Sequence, residues 1–383
     1  MARSPFPLLT QAELNRATLA RQLLLEHDAM DVVAAVERIG GLQAQEPASP
    51  YIALQARIAG FEAGALDAAF RDGRVVKATL MRMTVHAVSR DDYLHMLPAL
   101  QPMLRAARRG RLADAPSSEV DGLANAALAF ASVPRTNVEM RDHVAALAGE
   151  GGDDAWWRVR RHAPFVHVPD DVPWSFGRRP VLMGAPSAVG GEFASEPAAV
   201  RHLVLRHLRA FGPATLADIG NWSGLPVTRL RAAIVELDVE DCLRRFSDER
   251  GRELLDVHDG PLPGADVPAL PRLLPMWDSV LLAHADRSRI VPEEYQARVV
   301  MRNGDVLPTF LVDGRVAGLW WAKVDAGRTR IRLEPFASIP RAVLRDLEEL
   351  GERFAAFVEP HEPVVYSRYR WDRSRAGPRP ASR

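Results

Sequence analysis

Residues 197–257 place three helix-like stretches directly before a strand pair, and that order of hydrophobic periods leaves few folds open. EPAAVRHLVLRHLRAF carries its apolar residues at helical spacing and ends at Gly212-Pro213. Thr215-Leu-Ala-Asp218 reads as a capping box that opens a second helix, and Gly224 closes it. Pro226 then stands where a first-turn proline is tolerated, and PVTRLRAAIVEL forms a third helix with Arg229 and Arg231 in its first turns. CLRRFSDERGRELLDV alternates around an Asp-Glu-Arg-Gly turn, as a two-stranded wing does. Three helices followed by a β-ribbon is the order of a winged helix, whose third helix meets base edges or phosphate.

The same order is written into 10–95. Residues 13–27 read as a helix, and 31–40 as a second, capped by Asp31 with Val32, Val36 and Ile39 on one face. Tyr51, Leu54, Ile58 and Phe61 recur at steps of three and four, and a short helix is expected near 65–72. VVKATLMRMTVHAVS (75–89) is rich in β-branched residues and reads as a hairpin. A middle region, 96–190, holds helices near 119–131, 138–148 and 155–161 and then the strand-like pieces FVHV and VLMG, interrupted by Pro164, Pro169, Pro173 and Pro180. Beyond 270, Asn-Gly and Asp-Gly turns between alternating runs predict hairpins, RTRIRLEPF adds a strand, and Pro340 opens a long helix to about Glu359. The expected fold class is α+β. Tandem winged-helix units lie at 10–95, within 96–190 and at 197–260, followed by a hairpin-rich region with a C-terminal helix at 270–360 and a basic, frayed tail at 366–383.

Composition narrows the partners. A chain of 383 residues exceeds one ordinary core, and 47% apolar with 26% charged residues is the balance of a globular protein. No stretch approaches ~18 uncharged apolar residues, so no membrane span is expected. MARSPFPLLTQAELNR lacks the pattern of a signal peptide, and the single Cys242 fits a reducing compartment, so a cytoplasmic, nucleoid-associated protein is expected. One cysteine and scattered histidines suggest neither a metal nor a cofactor. The zero net charge counts mildly against nucleic-acid binding. Yet only Lys77 and Lys323 are lysines, and arginine is the side chain that forks onto phosphate and guanine. Candidate basic stretches are Arg105, Arg108, Arg109 and Arg111; Arg158, Arg160 and Arg161; Arg178 and Arg179; and Arg328, Arg330 and Arg332.

GGLQAQEPASPY joins the second and third helices of the first unit. In extended backbone, residues two apart point the same way, so Gln43 and Gln45 are expected to project two amides into one space. An amide offers a donor and an acceptor but takes up no proton at neutral pH. Loop glutamines more often cap helices or face water. Glu46, beside them, is a conventional general-base candidate. Thr84 and His86 alternate on the first wing and are expected to share a face; a lone strand histidine is more often structural. In LLPMWDSVLLAHADRSRI, Asp286 either orients Arg287 or Arg289 toward phosphate or belongs to an ion-pair network. Core packing accounts for Trp320-Trp321.

Together, LNRATLARQLLLEH, GGLQAQEPASPYIALQARI, TLMRMTVHAVS, LRAFGPATLADIGNWSGLP, LLPMWDSVLLAHADRSRI and PTFLVDGRVAGLWW resemble the bacterial winged-helix DNA glycosylase family, in order, from about residue 10 to 360. That family includes azinomycin-resistance enzymes that unhook interstrand crosslinks. The resemblance implies three tandem winged helices around a concave, DNA-wide surface. It also implies a catalytic motif of Gln, an apolar residue, then Gln or Asp, which falls here on Gln43, Ala44 and Gln45. The implied activity is that of a monomeric, monofunctional glycosylase removing N7-alkylated guanine from duplex DNA, bulky or crosslinked adducts included, in repair or self-resistance.

Guanine alkylated at N7 is cationic and leaves as a neutral base, so two neutral amides suffice to hold a water and face the developing sugar cation. Gln45 is expected to hold the water, and Gln43 to stabilise the sugar or orient Gln45. Little base flipping is expected for so bulky a lesion. Arg229, Arg231, Arg287 and Arg289 are the expected DNA contacts, with the Asp313-Gly314 hairpin probing the groove. The competing reading is a winged-helix transcriptional regulator without chemistry, which binds undamaged DNA sequence-selectively and makes no abasic product. A scaffold or small-molecule binder would do neither.

Overall fold

The computed structural model describes residues 5–107, 115–149 and 154–369. Arg108, Arg109, Arg111 and the tail from 370 onward lie outside the described residues. A short strand β1 (Leu8–Leu9) precedes α1 (Gln11–Arg21), which Thr10 and Glu13 open with a capping box. Asp31 caps α2 (Val32–Arg38) through the amides of Val33 and Ala34. Then come β2 (Leu42–Gln43), α3 (Ala48–Gln55), α4 (Ala63–Arg71), β3 (Val75–Thr79) and β4 (Val85–Ser89). A long helix that the periodicity did not single out, α5 (Arg90–Ala106), follows without a loop, with Ser89 as its cap.

The middle of the chain holds α6 (Ser117–Phe130), β5 (Arg135–Thr136), α7 (Asn137–Ala148), α8 (Ala155–His162), β6 (Phe165–His167), β7 (Val181–Gly184) and α9 (Ala185–Ala188). Next are α10 (Glu196–Phe211), α11 (Leu216–Ser223) and α12 (Val227–Val239), then β8 (Leu243–Asp248) and β9 (Glu253–Val257). Thr215 and Asp218 make the expected capping box, and Gly224 ends α11 with a φ of 80°. The C-terminal part comprises β10 (Arg272–Leu274), α13 (Gln296–Val299), β11 (Thr309–Val312), β12 (Arg315–Asp325), β13 (Arg328–Pro335) and α14 (Arg341–Val358).

The fold is α+β, and among the described residues the strands form three sheets. One runs β2-β4-β3-β6-β7-β5, so that β3 pairs with β4 on one side and with β6 on the other. The hairpin of the first region and the strands of the middle region are thus one structure, which crosses residue 95. β1 adds in parallel to β8 beside β9, and β10 to β13 form an antiparallel meander on which α14 packs.

Alternation along β4 divides the core. Val85 and Ala87 face the cluster of Tyr51, Leu54, Trp174 and the C-terminal meander, while Val88 faces the cluster built by α5, α10 and α12. Buried ion pairs join distant elements. Arg57, just past the end of α3, clasps Asp278 with two hydrogen bonds of 2.9 and 2.8 Å, both side chains being 1% exposed. Arg21 of α1 reaches Asp256 of β9 at 3.0 Å, fully buried.

Removing one partner of such a pair strands the other charge in the core. Asp278→Ala is therefore expected to lower stability by roughly 3–5 kcal/mol, read from the urea unfolding midpoint.

Candidate active site

The Gln-Ala-Gln element begins on the edge strand of the six-stranded sheet. Leu42 faces Ala87 and Gln43 faces His86 across β4, and the amide of Ala44 donates to the Val85 carbonyl at 2.8 Å. Ala44 and Val85 therefore form a hydrogen-bonded pair, and Gln43 with His86 the intervening close pair. After Ala44 the chain bends through Gln45 and Glu46 into α3. The two glutamines consequently meet different surroundings rather than lying side by side as the extended spacing suggested. Gln43 is 7% exposed and lines a small hollow of about 10 Å³ with Ser49, Arg57 and Asp278. Gln45 is exposed and lines a cleft of about 470 Å³.

That cleft is cationic. Lys77, Arg160, Arg178, Arg179 and Arg368 line it, against the carboxylates of Glu46, Asp170 and Glu362. Trp174, Phe176, Val85 and Ala44 supply apolar wall. Glu46 is buried and already engaged: it accepts a 2.5 Å hydrogen bond from the Tyr369 hydroxyl and pairs with Arg368. Tyr366 meets Ser49 at 2.8 Å, so the segment after α14 packs over the turn that carries the glutamines. A carboxylate held this way is poorly placed as a general base, and Gln45 remains the exposed polar group of the motif.

Lys77 is the residue here that sequence reasoning passed over; its signal was only that it is one of two lysines. It is 5% exposed, its Nζ lies 4.0 Å from the centre of the Phe176 ring, and burial pushes its pKa down to about 7 although Asp170 pulls it upward. His167 stands opposite it in register, held neutral by burial and by the Lys77 and Arg160 charges.

Other expected positions separate. The Thr84 hydroxyl donates to the Met81 carbonyl within the β3–β4 turn, and His86 is fully buried; neither lines the cleft. Arg231 is exposed on α12, whereas Arg229 is tethered to the Ala99 carbonyl and Glu196. Arg289 is not a surface contact. It is 7% exposed and donates to Thr18 and to the Pro213 carbonyl, and desolvation lowers its pKa to about 10. Arg287 is half-buried near Arg82. Asp286 binds Arg250 and Arg252 of the β8–β9 turn, resolving that cluster as an ion-pair network.

The Asp313-Gly314 turn is no free probe either. Asp313 pairs with Arg16 at 2.5 Å, and Asn15 donates to the Gly314 carbonyl at 2.9 Å, so the turn is docked on α1. A Cβ on Gly314 would lie 2.3 Å from Leu19. The longer β12–β13 hairpin instead carries exposed Lys323, Arg328 and Arg330 toward its Ala326-Gly327 tip. Trp320 is core, donating to the Leu274 carbonyl. Of the remaining arginines, Arg158 is 2% exposed, while Arg160, Arg178 and Arg179 reach the cleft. Among the described residues, no group of three His, Cys, Asp or Glu side chains converges as metal ligands would.

Residues 36–357 match the family model described as DNA glycosylase AlkZ-like. Among solved structures, the Streptomyces sahachiroi DNA glycosylase AlkZ superposes with a TM-score of 0.74 at 19% identity, over 91% of this chain and 97% of that chain, which is a likeness of fold. None of the curated proteins compared matches the chain.

The lowered Lys77 pKa has a consequence for stability. Between about 7 and 10.5 the unfolded chain holds this proton and the folded protein does not, so stability rises with pH across that window. Denaturant midpoints of wild type and Lys77→Met are expected to diverge there, wild type gaining relative to the variant as pH increases; parallel curves contradict a buried neutral amine.

Proposed function

Because the chain belongs to the AlkZ-like DNA glycosylase family, we propose that it hydrolyses the N-glycosidic bond of N7-alkylated guanine in duplex DNA, bulky and crosslinked adducts included. The observation that carries this reading is the placing of Gln45, a neutral and exposed amide, on a cation-lined cleft whose adjacent carboxylate, Glu46, is already occupied. A reaction that needs protonation of its leaving group is ill served by such a site. Departure of a base that is already cationic needs only a held water and dipoles aimed at the sugar.

In this mechanism the cleft arginines take the phosphates on either side of the lesion. Gln45 holds the attacking water through its carbonyl oxygen. As the C1′–N9 bond lengthens, the positive charge of the base moves to the sugar, where Gln43 stabilises it or orients Gln45. Water adds at C1′, its proton passes to solvent, and an intact strand with an abasic site remains, which makes the enzyme monofunctional. The stretches 10–95, 96–190 and 197–260 act as winged-helix units shaping one concave surface for a monomer on duplex DNA. Arg231 on α12 supplies phosphate contact, and the β12–β13 hairpin takes the groove-probing role.

The test uses the purified protein on duplexes carrying N7-methylguanine or a bulky N7 adduct, with abasic sites revealed by alkali. Gln43→Ala and Gln45→Ala are each expected to slow base release on the order of 100-fold with the duplex still bound. Full activity in both variants overturns the assignment. Tight, sequence-selective binding to undamaged DNA without abasic product would instead establish a regulator.

A further inference from the structure

His86 occupies the position on β4 directly opposite Gln43, in the close pair of that ladder, where facing side chains sit nearest each other on one face of the sheet. Val85 and Ala87 point to the other face. The His86 Nδ1 lies 3.0 Å from the Thr84 carbonyl oxygen, and a carbonyl only accepts, so Nδ1 carries the proton and donates it there. The ring is fully buried and neutral, its pKa pushed down to about 3 by desolvation and by Arg82. With the Nδ1 proton committed, Nε2 presents a lone pair and nothing else.

That lone pair has no hydrogen-bond partner, and neither has the buried Oε1 of Gln43 across the strand gap. Two unsatisfied acceptors at facing positions are an unfavourable arrangement for a buried pair. A half-turn of the Gln43 carboxamide, whose oxygen and NH2 ends are nearly equal in shape, replaces one acceptor by a donor. The same half-turn sends the carbonyl oxygen away from the imidazole.

We propose that His86 is a positioning residue for Gln43: its Nε2 accepts a hydrogen bond from the Gln43 carboxamide, so that the carbonyl oxygen rather than the NH2 is the end offered to the reacting sugar. The proposal rests on the reading that Gln43 serves the glycosidic reaction. Its physical content is the polarity of a dipole. An amide oxygen stabilises a developing sugar cation and an NH2 destabilises it, so a free amide able to rotate loses part of its effect. A neighbour that can only accept permits one orientation. What sets His86 apart from the other buried histidines with an unpartnered ring nitrogen is its place directly opposite the motif's first glutamine.

Full-length protein carries the test. His86→Phe keeps a ring and removes the acceptor, whereas His86→Gln returns an acceptor oxygen near the place of Nε2. Single-turnover base release from an N7-methylguanine duplex is expected to fall on the order of 10- to 100-fold in His86→Phe, with duplex Kd unchanged, and to recover in His86→Gln. On a Gln43→Ala background, His86→Phe is expected to cause no further loss. A full rate in His86→Phe, or an equal loss on both backgrounds, overturns the proposal.

Histidine-selective 15N NMR of the wild type gives a readout that needs neither activity nor a stable His86 variant. The His86 Nε2 signal is expected at the position of an unprotonated, hydrogen-bonded nitrogen and to move in Gln43→Ala; a signal that stays in place overturns the contact. Absence of any base release by the wild type defeats the catalytic reading instead, and leaves the NMR result to decide the contact.

Discussion

The double pairing of β3 is the constraint on which the arrangement depends. By bonding to β4 on one edge and β6 on the other, it makes one sheet from strands separated by some 75 residues of helix and loop (Val85–Ser89 against Phe165–His167). The sheet then has an outer edge for β2, and the glutamine motif hangs there. Lys77 and His167, facing each other across β3 and β6, become the cleft wall only because that pairing exists. Break it, and the cleft loses one side while the motif keeps its local hairpin partner.

Local clustering of cations, not net charge, is what a chain with 49 basic and 49 acidic residues has to offer an anionic substrate. Several arginines are interior struts. Arg57 with Asp278, Arg21 with Asp256 and the buried Arg289 connect the first region to distant parts of the chain. Their carboxylate partners are consumed inside as well. Such pairs remove one charge of each sign and leave the surface balance unchanged, while the cleft gathers more cations than carboxylates in a molecule that is neutral as a whole.

Much of the secondary structure could be read from the chain. Asp31, the Thr215–Asp218 box and Gly224 act as the caps their residue types suggested, because capping depends on a few neighbouring atoms. The Asp313-Gly314 turn also forms where turn chemistry puts it, with positive φ at both residues. Its role was not legible, because docking against Asn15, Arg16 and Leu19 is contact across some 300 positions. The same limit hid the fate of Arg289, whose surroundings come from α1 and Pro213. For the glutamines, an extended spacing suggested two parallel amides, but the strand stops after Gln43 and the entry to α3 redirects Gln45.

Local sequence thus determined most of the stretches that become helices and hairpins, the long α5 excepted, and where a Gln-Ala-Gln element lies between them, since periodicity, caps and turns act over three to five residues. Tertiary structure decided which of those residues face solvent and which face each other. His86 is set against Gln43 by strand register, Glu46 is occupied by Tyr369 and Arg368 arriving from the far end of the chain, and Lys77 is stripped of water by Phe176 and its neighbours. The physical reason is that hydrogen-bond satisfaction, desolvation and charge pairing are properties of a packed neighbourhood, and no window of the sequence contains the neighbours.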